Sequence, residues 1–159
     1  MDELTTHLPL ELSAERVLVL HVELAERQEI GPSKHGTRYV VPIIGGRFAS
    51  RTSAELHGEV LPGGADWQLV RADGALEIDA RYSLRVADGT LIHVRNRGIF
   101  VLEPNAESGQ NPGRVYVRTV PELEAPLSSP HAWLNRSVFL GTLELRPPSS
   151  VVVAMYRVR

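Results

Sequence analysis

Apolar residues recur in this chain in short, β-branched runs bounded by Gly, Pro, Asp or Asn. That pattern marks many strands joined by turns. Arg16–Ala25 (RVLVLHVELA) is the clearest, with Leu18, Leu20, Val22 and Leu24 on one face and Val17, Val19 and His21 on the other. Further strands are expected at Arg38–Ile44, Glu55–Leu61, Asp66–Arg71, Leu76–Val86, Thr90–Leu102, Arg114–Val120, Arg136–Leu145 and Val151–Val158. No long amphipathic helix is visible. Ser129–Leu134, with a Ser cap and Pro130 in the first turn, is the best short helical segment. About nine antiparallel strands sharing one core predict an all-β domain, a single antiparallel β-barrel or a sandwich with little helix.

The stretch from Pro62 to Gly98 is the most informative. Ala87-Asp88-Gly89 suits a three-residue turn with Gly89 in the left-handed region. That turn pairs Val86 with Thr90, and puts Asp79 across from Arg97 and Ser83 across from His93. Ile78, Ala80, Tyr82 and Leu84 then share a face with Ile92, Val94 and Asn96. A slip of one residue would split this apolar set, so the pattern itself selects the register. The opposite face carries Asp79, Arg81, Arg95 and Arg97.

Two arrangements fit. With the apolar face inward, Asp79–Arg97 is a surface pair worth under ~1 kcal/mol, and Asn96 is a buried amide in need of partners. With the polar face inward, Asp79, Arg81 and Arg97 line a cavity and tune one another's charge.

The chain has 159 residues, 43% of them hydrophobic, which suits one domain with a sizeable core, residues 1–159, with 1–13 as an extended N-terminal arm. A net charge of −2 with scattered basic residues gives no nucleic-acid footprint. Lys34 is the only lysine. The absence of cysteine rules out disulfides, thiolate nucleophiles and thiolate metal ligands, and fits a cytoplasmic location. The N-terminus lacks the basic and apolar regions of a signal peptide, and no run approaches the ~18 apolar residues of a membrane span. His7, His21, His35, His57, His93 and His131 show no metal-ligand spacing, so no metal is expected. No nucleophile elbow is present. Gly45-Gly46 and Gly63-Gly64 are too short for phosphate cradles and read as corners. The loops Arg27–Thr37 and Glu103–Gly113 are long enough to act as lids.

Several runs together carry a resemblance. They are GGRF (Gly45–Phe48), LHGEVLPGGADW (Leu56–Trp67), IDARYSL (Ile78–Leu84), DGTLIHVRNRG (Asp88–Gly98), YVRT (Tyr116–Thr119) and AWLNRSVFLGT (Ala132–Thr142). In this order, over nearly the whole chain, they resemble the DUF3237 family, also called UPF0311. The resemblance implies a small β-barrel similar to allene-oxide-cyclase, dirigent and calycin-like barrels, some of which hold small molecules inside. Its pattern falls on Gly58, Pro62, Gly63, Gly64, Asp66, Trp67, Asp79, Arg81, Gly98, Arg118, Trp133 and Asn135. The N-terminus and the Glu103–Gly113 insertion depart from it.

These readings lead to an expected function. It is a cofactor-independent enzyme acting on a small organic, aromatic or polyketide-like molecule by isomerisation, cyclisation or lyase-type proton transfer. Asp79 is the acid/base or orienter, and Arg81 and Arg97 stabilise an anion. Trp67, Tyr82, His93, Asn96, Arg118, Trp133 and Asn135 are the expected ligand contacts. The alternative is a non-catalytic carrier with the same cavity. The expected partners are the small-molecule ligand and further copies of the chain in a dimer or trimer, since an imperfectly closed barrel edge invites pairing; nucleic acid and membrane are not expected.

Overall fold

The computed structural model describes residues 11–103 and 114–159. Ten strands run in the order β1 Ala14–Leu24, β2 Gln28–Ser33, β3 Gly36–Ser50, β4 His57–Val60, β5 Gly64–Val70, β6 Leu76–Val86, β7 Leu91–Glu103, β8 Arg114–Glu124, β9 Phe139–Arg146 and β10 Ser150–Val158. All neighbours are antiparallel. The sheet closes on itself because β1 pairs with both β10 and β3. Strands β4 and β5 share one position between β3 and β6, interrupted at 61–63. The result is an eight-position barrel with β2 as an additional strand beside the start of β3.

The expected class holds, and the differences lie at strand ends. The Arg27–Thr37 loop is largely the β2–β3 hairpin. Its turn is tightened by the Ser33 hydroxyl donating to the Gly36 carbonyl at 2.8 Å, and Pro32 is tolerated because β2 pairs only with β3. Strand β3 continues through Gly45-Gly46 instead of ending there. At that level it changes partners on both sides, from β2 and β5 to β1 and β4. Strand β8 runs on through Pro121, where the β8–β9 seam holds a single registered pair, Thr119 with Gly141. The expected helix is a 3-10 turn at Ala132–Arg136. The Glu103–Gly113 loop falls outside the described residues apart from Glu103, the last residue of β7. Among the described residues, no helix is long and apolar enough to cross a membrane.

The β6–β7 hairpin forms in the expected register. Val86 donates to Thr90 O at 2.9 Å, Gly89 sits at φ +89°, and Asp79 lies opposite Arg97. Its apolar face is the inner one: Leu84, Ile92 and Val94 are fully buried. Below them Leu18, Leu20, Phe48, Phe139 and Met155 fill one end of the barrel, each side chain contributing about 1.5–3 kcal/mol of burial. The 3-10 turn covers that end. Leu134 is buried there, and Asn135 is tied to Ala125 by two hydrogen bonds of 2.8 Å, one to its N–H and one to its carbonyl. Buried His131 faces Asp88 at 3.2 Å across the hairpin turn.

Candidate functional site

The other end of the barrel is hollow. A cavity of ≈ 720 Å³ opens between the ends of β1 and β9, the start of β10, and strands β3, β5, β6 and β7. This lies well within the range of small-molecule sites, about 300–1,000 Å³. A smaller recess of ≈ 300 Å³ on the outside is lined by His21, Glu23, Gly46, Arg47 and Ser150.

The polar groups of the cavity come from one wall. Asp66 on β5, Ala80 on β6 and Asn96 on β7 are registered across three neighbouring strands and share the inner face. Gln68 and Tyr82 continue the same face on opposite sides of this row, because β5 and β6 are antiparallel, and both also line the cavity. The corner at Pro62–Gly64 makes this possible. A Cβ on Gly64 would lie 2.4 Å from the Arg81 carbonyl and 2.6 Å from the Tyr82 Cβ, so only glycine lets β5 close onto β6 here.

Asp66 is half-buried in this wall. Its Oδ1 accepts the Asp79 N–H at 3.0 Å and its Oδ2 accepts Gln68 Nε2–H at 2.8 Å. Loss of water pushes its carboxyl above the usual carboxylate range; the two hydrogen bonds hold it back in part, and the Asp79 charge adds to the rise. Burial also pushes the Tyr82 hydroxyl far up, with the Asp66 charge adding to it, so Tyr82 is a neutral donor at every physiological pH. Tyr82 Oη, Asn96 Oδ1 and Gln68 Oε1 are buried and meet no hydrogen-bond partner among the described residues.

The expectation that Asp79, Arg81 and Arg97 line the cavity is corrected. They sit on the outer face of the hairpin, because the apolar face is the one the barrel interior needs. Asp79 is not paired with Arg97. It accepts from Arg95 through Nε at 3.1 Å and Nη2 at 3.2 Å, and from Arg81 Nη2 at 3.2 Å, while Arg97 reaches Glu122 at 2.8 Å. Burial pushes the Asp79 carboxyl up, but hydrogen bonds and charge from Arg95 and Arg81 outweigh it and hold the group below the usual range.

Of the expected ligand contacts, Tyr82 and Asn96 line the cavity. Trp67 alternates with Asp66 and Gln68 and faces outward, 46% exposed. His93 is exposed on the outer face, and Arg118 lies over the Tyr116 ring at 5.6 Å. Trp133 packs at the filled end against Phe139, with Arg157 over its ring at 5.2 Å, and Asn135 serves the tie to Ala125. The hairpin register assigned faces only within β6 and β7, so it could not reach Asp66 and Gln68. The signal that finds them is the alternation Asp66-Trp67-Gln68, once β5 is set beside β6. Among the described residues no group of three His, Asp or Glu side chains could hold a metal ion.

Comparison with known proteins agrees with this architecture. Residues 12–158 match the model of DUF3237, a protein family of unknown function. A UPF0311 protein of Clostridium acetobutylicum is 34% identical over 129 residues, 77% of this chain and 78% of that one. A second, from Bradyrhizobium diazoefficiens, is 28% identical over 92% of this chain and 97% of its own. The crystal structure of a β-barrel-like protein from Acinetobacter baumannii superposes with a TM-score of 0.83 at 31% identity, covering 97% of this chain and 100% of that one. A protein from Penicillium herquei described as an enzyme shares the fold, with a TM-score of 0.68 at 18% identity over 96% of this chain and 98% of that one.

Proposed function

The chain belongs to the DUF3237 family, and from the geometry of its cavity we propose that it is a cofactor-independent enzyme acting by proton transfer on a small organic molecule held in the barrel. The observation that carries this reading is Asp66, a carboxyl with a raised pKa in the wall of a largely apolar cavity, beside a neutral tyrosine hydroxyl. A carboxylate whose charge is disfavoured is a stronger base than one in water, and its conjugate acid is available nearer neutral pH. The role first expected of Asp79 passes to Asp66. The outer Arg81 and Arg97 have no part in the chemistry.

The step balances without a cofactor. Asp66 takes a proton from a carbon next to a substrate carbonyl, and the electron pair moves onto the carbonyl oxygen. The Tyr82 O–H holds that oxygen by a hydrogen bond. Asp66 then returns the proton to the same molecule: to another carbon in an isomerisation, to the departing oxygen as its C–O bond breaks in an elimination, or to the oxygen of a second carbonyl as the enolate carbon bonds to that carbonyl's carbon in a ring closure. That a barrel of this fold serves a fungal enzyme is compatible with the reading and selects no particular reaction.

The test incubates the full chain and its Asp66→Asn variant with a cell extract, and follows both retained and converted compounds by mass spectrometry. A compound retained by both proteins and converted only by the unaltered one is the expected result, with conversion falling by about 10²–10⁴-fold in the variant. Retention without conversion by the unaltered protein leaves a carrier and overturns the enzymatic step. Retention by neither overturns the cavity reading as a whole.

A further inference from the structure

The polar wall has an unbalanced set of hydrogen-bonding groups, and that imbalance describes its ligand. Asn96 and Tyr82 are 2% and 5% exposed, yet Asn96 Oδ1 and Tyr82 Oη have no partner among the described residues. Gln68 spends an N–H on Asp66 and keeps Oε1 unpaired. Two of the three free atoms are therefore carbonyl oxygens, which require a hydrogen from outside. The third is a hydroxyl, which gives one. Buried polar atoms are normally paired, so three unpaired ones in the wall of one cavity mark where a ligand's polar edge fits.

The charges narrow the choice further. Asp66, in its ionised form, repels an anion. Arg27, the arginine among the described lining residues, lies 4.0 Å over the Tyr39 ring. No described cation faces Asp66, Tyr82 or Asn96 from within the wall. Across the barrel, β1, β9 and β10 present Val22, Leu143, Val151 and Val153, which offer apolar contact, together with Ser150, whose hydroxyl donates to the Arg146 carbonyl at 3.0 Å.

We infer, resting on the cavity reading above, that the ligand is an uncharged molecule with an apolar body and one polar edge. That edge carries hydroxyl or N–H hydrogens for Asn96 and Gln68 and an oxygen for Tyr82. A carboxylate in place of the hydroxyl is rejected.

The test uses naphthalene as a fixed apolar body and the full chain at pH 7.5, with affinities from calorimetry. The probes are naphthol, dihydroxynaphthalene, acetylnaphthalene and naphthoate. Dihydroxynaphthalene is expected to bind at least about tenfold more tightly than acetylnaphthalene, and naphthoate at least about tenfold more weakly than naphthol. Asn96→Leu and Gln68→Leu should each shrink the hydroxyl preference; Gln68→Leu, at a half-buried position, carries the comparison if Asn96→Leu does not fold. Naphthoate binding as tightly as naphthol overturns the inference, as does a hydroxyl preference unchanged in a folded Gln68→Leu protein. Probes that bind without the expected order overturn this inference alone, and probes that do not bind at all overturn the cavity reading with it.

Discussion

At pH 8 the Asp66 carboxylate is held in the cavity wall between Gln68 and the Asp79 N–H, at a cost in lost hydration. Its pKa is raised on folding, so the protonated form is the one the fold favours. Its contribution to stability is fully present below the unfolded value of 3.8 and is lost as pH rises through the higher folded value. Asp66→Asn keeps an acceptor for the Asp79 N–H and removes the charge. The variant should therefore melt at a higher temperature than the parent at pH 8, and the gain should vanish toward pH 4. Thermal unfolding at the two pH values checks this, and a lower Tm at pH 8 contradicts it. Single residues were the least legible scale in the sequence. Asn96 stood out because an amide on an apolar face needs a reason. Asp79 reads as a site residue because charges close in sequence resemble a site, although β-strand alternation sends Asp79 to the outer face and keeps Tyr82 and Asn96 inside.

Strands β5, β6 and β7 form a two-sided plate, with the cavity on one side and an ionic cluster on the other. Asp79 joins the two. Its side chain is gripped by Arg95 and Arg81 outside, while its N–H holds Asp66 inside. Arg95→Ala leaves the Asp79 charge less compensated, and that charge already raises Asp66. The pH profile of the reaction should shift toward higher pH on the limb set by Asp66, with little change at its plateau. An unmoved profile would separate the outer cluster from the site. Gly64→Ala presses a methyl group against β6 and should cost about 1–3 kcal/mol by denaturant unfolding. Asn135→Ala strands the Ala125 N–H and carbonyl and should cost about 1–3 kcal/mol by the same measurement, without altering ligand affinity. Elements and register were largely legible, since apolar alternation and the Asp88-Gly89 turn both specify the hairpin. The ends of β3 and β8 were not, because Gly45-Gly46 and Pro121 read locally as breaks while the closed ladder carries the chain through them.

Across the whole molecule, the packed core and the cavity occupy opposite ends of the barrel. The filled end depends on residues such as Leu84, and the hollow end on the space beside Val22. Leu84→Ala should cost about 2–5 kcal/mol and leave probe affinity nearly unchanged. Val22→Phe should block the cavity and weaken binding far more than it weakens the fold. Calorimetry and unfolding of both variants check the division, and equal effects on both measurements would refute it. The barrel class was legible from the count and spacing of strands. The hollow was not, because the same inward apolar pattern builds both ends. Whether space remains depends on side-chain volumes summed across eight strand positions that no local window contains.

The seam between β8 and β9, registered at Thr119 and Gly141 alone, makes the barrel a rolled sheet with a clasp. Its consequence lies in time rather than in shape. Opening there breaks few backbone hydrogen bonds and leaves the remaining ladder intact. In deuterated water, amides of β8 and β9 along this line should exchange ahead of those between β6 and β7, and a ligand in the hollow end should slow them.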